Sequence, residues 1–422
     1  MTFRPRLLDT LAGYSRAALI KDIGAGITVG IVALPLAIAI AIASGLPPQA
    51  GLWTAIVGGL LVSLLGGSNV QIAGPANAFI VVVYSIILQH GIMGLLLATM
   101  MAGALMVIMG LLQLGRWMRH VPDALIEGFT SAIAVIIIIT QLKDALGLPL
   151  PKPPADVIGL VAAVAGKLAQ FNPWSLALAT SCILMLVLWQ QLSKRFALLA
   201  RIPGPMVALL GLTLLAWGLQ LPAETIGSRF GAAFSEMGSH WPSFMLPSVP
   251  WSSLPALIVP AFTLAALAAI ESLLCARMAD EQAPNMQKHA PNQELMAQGI
   301  ANMAAPLLGG MPVTGTIART MTSLRSGGST PIAGIVHSLT LLLIVLIAAP
   351  LAAHIPLAVL SGILLFIAWN MGDWKGLLAL HRQGREWAWV VGVTFVLTLA
   401  LSLTWGIAGG LAVSWAFGKR KA

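Results

Sequence analysis

The chain has 422 residues, 9% of them charged and 58% hydrophobic, with a mean hydropathy of +0.91. A soluble globular protein carries about 25% charged residues, so this composition excludes a soluble fold and defines a polytopic membrane protein. The net charge of +9 does not point to nucleic acid, because the basic residues sit at the ends of apolar runs and form no basic stripe.

About 20 apolar residues cross a hydrocarbon core as a helix. In chain order, runs of that kind cover 23–44, 92–114, 122–141, 173–192, 203–221, 253–277, 330–350 and 386–403. Shorter runs cover 50–66, 75–89, 294–308, 315–326, 355–370 and 404–418. Together they predict an all-α fold of fourteen transmembrane segments. The first run is too long for the apolar part of a cleavable signal, so it is expected to be the first span. Residues 145–171, with "LPLPKPP", read as an external loop with a surface helix. Residues 222–252, rich in Pro, Ser and Trp, read as the external connection between two halves. Residues 372–385, "GDWKGLLALHRQGR", read as an interfacial amphipathic helix.

The placement of Lys and Arg tests this topology. With the N-terminus inside, 18 of the 23 basic residues fall on the inner side, among them Arg16, Lys21, Arg116, Arg119, Arg201, Arg277, Arg325, Arg382 and Lys419. Four fall outside: Lys143, Lys152, Lys167 and Arg229. Arg319 lies within a segment. The expected organisation is therefore a cytoplasmic N-terminus (1–21), a first half (22–221), the external connection (222–252), a second half (253–418) and a cytoplasmic tail (419–422). The multi-pass chain is expected in the plasma (inner) membrane, with both ends cytoplasmic.

Two segments depart from ordinary spans. "NVQIAGPANAFIVVVYS" (69–85) and "GMPVTGTIARTMTSLRS" (310–326) each open with a short extended run, reach a glycine (Gly74 or Gly315), and continue as a helix-compatible run. They are the third and tenth segments, at matching positions of two seven-segment halves. Gly/Pro-interrupted segments so placed point to a transporter's binding site. A half-helix starting at mid-membrane leaves its first N–H groups open and presents about half a positive elementary charge, so two of them facing each other make an anion site. Pro75 suits the first turn of such a helix, and Asn77 follows it. Arg319, one turn into the second half-helix, adds a full charge. The alternative is a pair of ordinary helices with glycine packing faces, with Arg319 snorkelling to the interface.

A second polar site is "LAAIESLLCARMADE" (267–281). Glu271 lies inside the eighth segment, either as a carboxylic acid bonded to a neighbouring carbonyl or as a carboxylate that faces Arg319 and takes a proton or cation. Cys275 is one turn later on the same face, and its alternative is a small buried hydrophobe. Asp22, Asp123 and Glu127 read as helix-start carboxylates, and Asn292 and Glu294 as the start of the ninth helix. Asp144, Asp156 and Lys143 read as loop charges. Cys182 and Cys275 both fall in apolar segments, so neither a disulfide framework nor a metal cluster is expected. No cofactor is expected, and no nucleophile–base pair points to an enzyme.

Several stretches carry a resemblance to a known family. "DIGAGITVGIVALPLAIAIAIASGLPPQAGLWT" (22–54), "IAGPANAF" (72–79), "GFTSAIAVIIIITQLKDALGL" (128–148), "AIESLLCARMAD" (269–280), "NQELMAQGIANMAAPLLGGMPVTGTIARTMTSLRSGG" (292–328) and "IPLAVLSGILLFIAWNM" (355–371) resemble the sulfate permease (SulP) family. Within the family, "AIESLLCA" and the Ala-Arg of "IARTMTS" are most similar to the C4-dicarboxylate transporters. The resemblance implies a seven-plus-seven inverted repeat, with half-helices 3 and 10 preceded by short strands. It implies a core domain of segments 1–4 and 8–11 and a gate domain of 5–7 and 12–14. It also implies an elevator-like movement of core against gate, usually in a homodimer. By position, Gly74, Pro75 and Ala76 would serve the first half-helix site, and Thr314, Gly315, Thr316 and Ala318 the second. Arg319 and Glu271 would be a charged pair. The family's C-terminal STAS domain is expected to be missing. Glu271 and Cys275 stand where sodium-coupled bicarbonate members have Asp and Thr. A thiol suits an alkali ion poorly, so a proton is the expected coupling ion rather than sodium. The expected function is proton-coupled uptake of a small anion, a C4-dicarboxylate first. Sulfate or bicarbonate transport, an anion channel and a nucleobase permease are the alternatives.

Overall fold

A computed structural model describes the chain apart from residues 1–2, 12, 117–121, 151–153, 155, 197–198, 200–201, 232–243, 249, 383, 402 and 419–422. Arg119, Lys152, Arg201 and the tail residues Lys419 to Lys421 therefore lie outside the described residues.

The helices follow the predicted segments in order. Those of the first half are α1 (Arg16–Ala43), α2 (Pro48–Leu65), α3 (Ile80–Leu111), α4 (Asp123–Ala145), α5 (Pro173–Arg195) and α6 (Gly204–Gly218). Those of the second half are α7 (Leu254–Gln282), α8 (Pro291–Ala304), α9 (Ile317–Arg325), α10 (Pro331–Ala352), α11 (Leu357–Met371), α12 (Arg385–Ala400) and α13 (Leu403–Gly418). Six stretches are long and apolar enough to cross a membrane by themselves: α1, α2, Asn77–Leu111, α4, α5 and α7. The fold is that of an all-helical polytopic membrane protein with an inverted repeat. Its two short strands, β1 (Ala73–Gly74) and β2 (Thr314–Gly315), precede the third and tenth segments as expected.

Several boundaries differ from expectation, each for a local reason. Helix α1 begins seven residues before the first apolar run, because Ser15 accepts a hydrogen bond from the Ala18 amide and caps it there. The third and fourth segments are joined in α3 and broken at Gly91, whose φ of 68° only glycine adopts readily. Residues 372–385 do not form one amphipathic helix. Asp373 caps a short helix, Trp374–Leu378, a 3₁₀ turn follows over Leu380–Arg382, and Gly384 starts α12. The surface helix expected in 145–171 is present as Val157–Lys167, capped by Asp156.

The helices pack in two groups. In one, α8 and α7 lie on α3, and α10 and α9 lie on α1. In the other, α11 and α12 lie on α4, α5 packs on α11 and α6, and α12 packs on α13. Helix α1 meets the second group through α11 and α6. The groups are themselves tied by buried polar residues that read as local charges in the sequence. Asp22 does not serve the start of its own helix. It is fully buried and accepts hydrogen bonds from the Ser329 amide (2.7 Å), the Thr330 amide and hydroxyl (3.3 and 2.6 Å) and the Tyr14 hydroxyl (2.7 Å), so it caps α10 from α1. Burial and the Asp22 carboxylate push the Tyr14 phenol up to about 12, so its O–H remains a donor. Glu294 accepts from the Gly67 and Ser68 amides and from Gln298, and Asn292 accepts from the Gly115 amide. Asp144 and Lys143 are not loop charges. They end α4, and the buried Asp144 pairs with Lys143 and with Arg229 of the short helix Ile226–Phe230. Burial opposes the Arg229 charge, but Glu224 and Asp144 outweigh it and hold the guanidinium above its ordinary value.

Candidate functional site

Strands β1 and β2 pair antiparallel, with Ala73 opposite Gly315 and Gly74 opposite Thr314. The two broken segments therefore meet head to head. Side chains from neighbouring helices secure the strands. Asn302 of α8 accepts from the Val313 amide and donates to the Val313 carbonyl, both at 2.8 Å. The Thr54 hydroxyl, at a π-turn within α2, accepts from the Met311 amide at 2.7 Å. Thr314 donates to the Ala268 carbonyl of α7 (3.1 Å), and the Thr316 amide and hydroxyl donate to the Ile72 carbonyl (3.1 and 3.2 Å). Irregular backbone at such depth persists only where its polar groups are met in this way or line a cavity.

Both helix starts lack a side-chain cap. The N-cap residues are Ala76, before the 3₁₀ turn Asn77–Phe79 that leads into α3, and Thr316, before α9. In α9 the amides of Ile317, Ala318 and Arg319 precede the first intrahelical bond, from Thr320 N to Thr316 O at 3.0 Å. Uncapped N-termini keep amide hydrogens and dipole available to an anion. Ala318 is exposed, Asn77 is half-buried and its Oδ1 has no partner, while Pro75, Ala76, Thr314 and Thr316 are buried.

The two strand glycines are required by what lies on them. A Cβ at Gly74 would collide with the Arg319 guanidinium, and one at Gly315 with the Gln71 amide. Each strand thus makes room for a polar side chain of the opposite or neighbouring element. Arg319 is 2% exposed, so it does not snorkel. Its Nη1 donates to the Ala73 carbonyl at 3.3 Å and its Nη2 has no protein partner. No ion pair joins it to Glu271 within 4.0 Å; the expected charged pair is separate in this conformation, because the guanidinium is drawn to β1. Glu271 is half-buried with Oε2 unpartnered. Cys275 shares its helix but not its surroundings: it is fully buried, and its thiol donates to the Thr320 hydroxyl at 3.3 Å. That hydroxyl also accepts from the Ile72 amide, so Cys275 links α7 to α9 and, through Thr320, to the residue before β1.

Gln71 and Thr320 join these elements only in the folded chain. Gln71 is buried, gives its Nε2 to the Ser272 carbonyl and hydroxyl at 3.0 Å, and leaves its Oε1 without a partner. A Gln three residues before the strand glycine was the available signal. Among the described residues no cluster of His, Cys, Asp and Glu has the grouping of a metal site.

This constellation, two uncapped half-helix starts abutting through paired strands, is the arrangement expected of a membrane transporter of the inverted-repeat kind. The family follows from comparison: residues 19–393 match the sulfate permease family, and the chain belongs to it. The chain is 38% identical over 414 residues to the putative sulfate transporter YvdB of Bacillus subtilis, covering 98% of this chain and 76% of that protein. It is 31% identical over 402 residues to the bicarbonate transporter BicA of a Picosynechococcus species, covering 93% and 69%. Among solved structures, the transmembrane domain of a cyanobacterial bicarbonate transporter BicA is similar with a TM-score of 0.81 at 30% identity, over 92% of this chain and 97% of that one. Murine Slc26a9 in its inward-facing state shares the fold with a TM-score of 0.86 at 20% identity, over 99% and 71%.

Proposed function

We propose that this anion transporter imports C4-dicarboxylates such as succinate, fumarate or aspartate, driven by protons, across the plasma (inner) membrane with both termini cytoplasmic. The observation that carries the reading is the meeting of two uncapped half-helix N-termini at the β1–β2 pair, with the buried Arg319 charge behind them. A carboxylate at that meeting point receives amide hydrogens from both halves. In this reading Gly74, Pro75, Ala76 and Asn77 approach the substrate from one side, and Thr314, Gly315, Thr316 and Ala318 from the other.

Glu271 is the proton carrier of this reading. Its half-buried carboxyl with an unpartnered oxygen supports a group that alternates between charged and neutral. Sodium is disfavoured, since the Cys275 thiol is spent on Thr320 and supplies no oxygen ligand. The two packing groups support a core of segments 1–4 and 8–11 that slides against a gate of 5–7 and 12–14. A homodimer would anchor the gates against each other.

The second reading is sulfate or bicarbonate transport by the same machine, favoured by the names of the relatives. Labelled succinate uptake into proteoliposomes, with and without an inward proton gradient and with excess sulfate, separates the two. Gradient-driven uptake that sulfate barely inhibits supports the dicarboxylate reading. Full block by sulfate, or absence of succinate uptake, moves the substrate to the inorganic anions.

A further inference from the structure

We propose that His337, on α10, is a proton-binding residue whose protonation is linked to occupancy of the anion site beside Arg319. The inference rests on the anion reading of that site and adds a second titratable group to it. His337 is fully buried, and neither ring nitrogen has a partner at hydrogen-bonding geometry among the described residues. A buried imidazole with both nitrogens unmet is a departure that needs a reason.

Its position supplies one. A Cβ at Gly59 of α2 would lie 2.8 Å from the Ser338 hydroxyl, 3.3 Å from the Ala73 carbonyl oxygen and 3.4 Å from His337 Cδ2. The imidazole and the Ala73 carbonyl thus border the same gap that Gly59 leaves. On its other side that carbonyl accepts from Arg319 Nη1 at 3.3 Å. The Ala73 carbonyl therefore has the guanidinium on one side and the gap bordered by the imidazole on another. Arg319 Nη2 is unpartnered as well, so both side chains hold unused hydrogen-bonding capacity.

The surroundings leave few other charges to act on the ring. From α9, Arg319 is the charged group whose field reaches it. From α1, the ring approaches the Val29 carbonyl, and Gly30 packs on the His337 backbone. Asp22 of α1 is engaged with Ser329, Thr330 and Tyr14. Helix α2 has no titratable residue. The N-terminal helix Arg6–Leu11 also touches α10, and there Arg6 is bound to Asp9 and to the Lys288 carbonyl.

Two cations in this interior repel strongly. An anion at the half-helix N-termini offsets the Arg319 charge and removes that repulsion. Proton and anion then favour each other, as linkage requires. The step is protonation of a ring nitrogen lone pair, with no other bond made or broken. It places a proton on the same moving unit as the anion.

The test uses the purified protein and labelled succinate or labelled sulfate as probe, with binding measured from about pH 4 to 8, across and below the ordinary imidazole range. The Glu271→Gln variant removes the other carrier. In that background, binding is expected to tighten as pH falls, by up to roughly tenfold per pH unit for one linked proton. Adding His337→Gln is expected to abolish this slope while binding persists. His337→Asn serves as the second variant should the first not assemble, with the gel-filtration profile as the check. A slope left unchanged by either substitution overturns the inference and leaves the anion reading intact. Failure of both probes to bind the unmodified protein at any pH sinks the anion reading and this inference together.

Discussion

Arg319 is the residue whose environment says most about the site. It is nearly inaccessible, yet only one guanidinium nitrogen is met by a protein group. Keeping such a charge inside is expensive unless a counter-charge visits it. Arg319→Ala is therefore expected to weaken anion binding by about 10- to 100-fold, the worth of a charge-assisted hydrogen bond. Equilibrium binding of the labelled anion checks this, and an unaltered affinity would remove Arg319 from the site. Glu271→Gln is expected to lose gradient-driven uptake while counterflow of the labelled anion continues. Proteoliposome assays with and without a pH difference distinguish that outcome, and unchanged pH dependence would end the coupling role. Gly315→Ala meets the Gln71 amide rather than open space. Forcing a methyl group into such a contact costs about 1–3 kcal/mol, so a lowered thermal midpoint with loss of transport is expected.

At the scale of elements, the helix ends are held by side chains that belong to other helices. Asp22 illustrates this: from the second turn of α1 it caps α10 and holds the turn after α9. Asp22→Ala leaves buried donors at Ser329 and Thr330 unmet and is expected to cost about 2–4 kcal/mol, a large fraction of a domain's stability. Thermal unfolding in detergent measures it. A change confined to transport, with the midpoint unmoved, would mean that the Ser329–Thr330 turn is held by something else. The third and tenth segments differ from the rest because a short strand precedes each helix and the two strands pair with each other. Their sequences announce this through Gly74-Pro75 and Gly315.

For the whole molecule, the charge bias of the loops predicts which ends of the helices face the cytoplasm. Both cysteines are fully buried, so an introduced thiol is read against a low background. Ala165→Cys, on the exposed face of the helix Val157–Lys167, is expected to react with an impermeant maleimide in intact cells. Asn285→Cys, exposed between α7 and α8, is expected to react only after permeabilisation. The reverse pattern would invert the topology. The two packing groups meet where α1 touches α6 and α11 and where α4 touches the 3₁₀ turn Asn77–Phe79, so sliding of one on the other would disturb those contacts.

The sequence by itself determined the membrane class, the order of the helices, the two interrupted segments and their equivalence. Each of these depends on local composition: runs of apolar residues, loop charges, and glycine or proline where a helix cannot continue. It also marked Arg319 and Glu271, since an ionisable residue stands out in an apolar run. Only the tertiary structure decided what those residues touch. Glu271 and Arg319 read as partners and are apart, Cys275 turns to Thr320, Asp22 and Asp144 serve distant segments, and Gln71 and His337 complete the crossing unannounced. Such contacts join residues up to some 300 positions apart, as between Asp22 and Ser329. Side-chain type fixes which hydrogen bonds a residue needs, but the packing of helices from both halves fixes which partner is within reach.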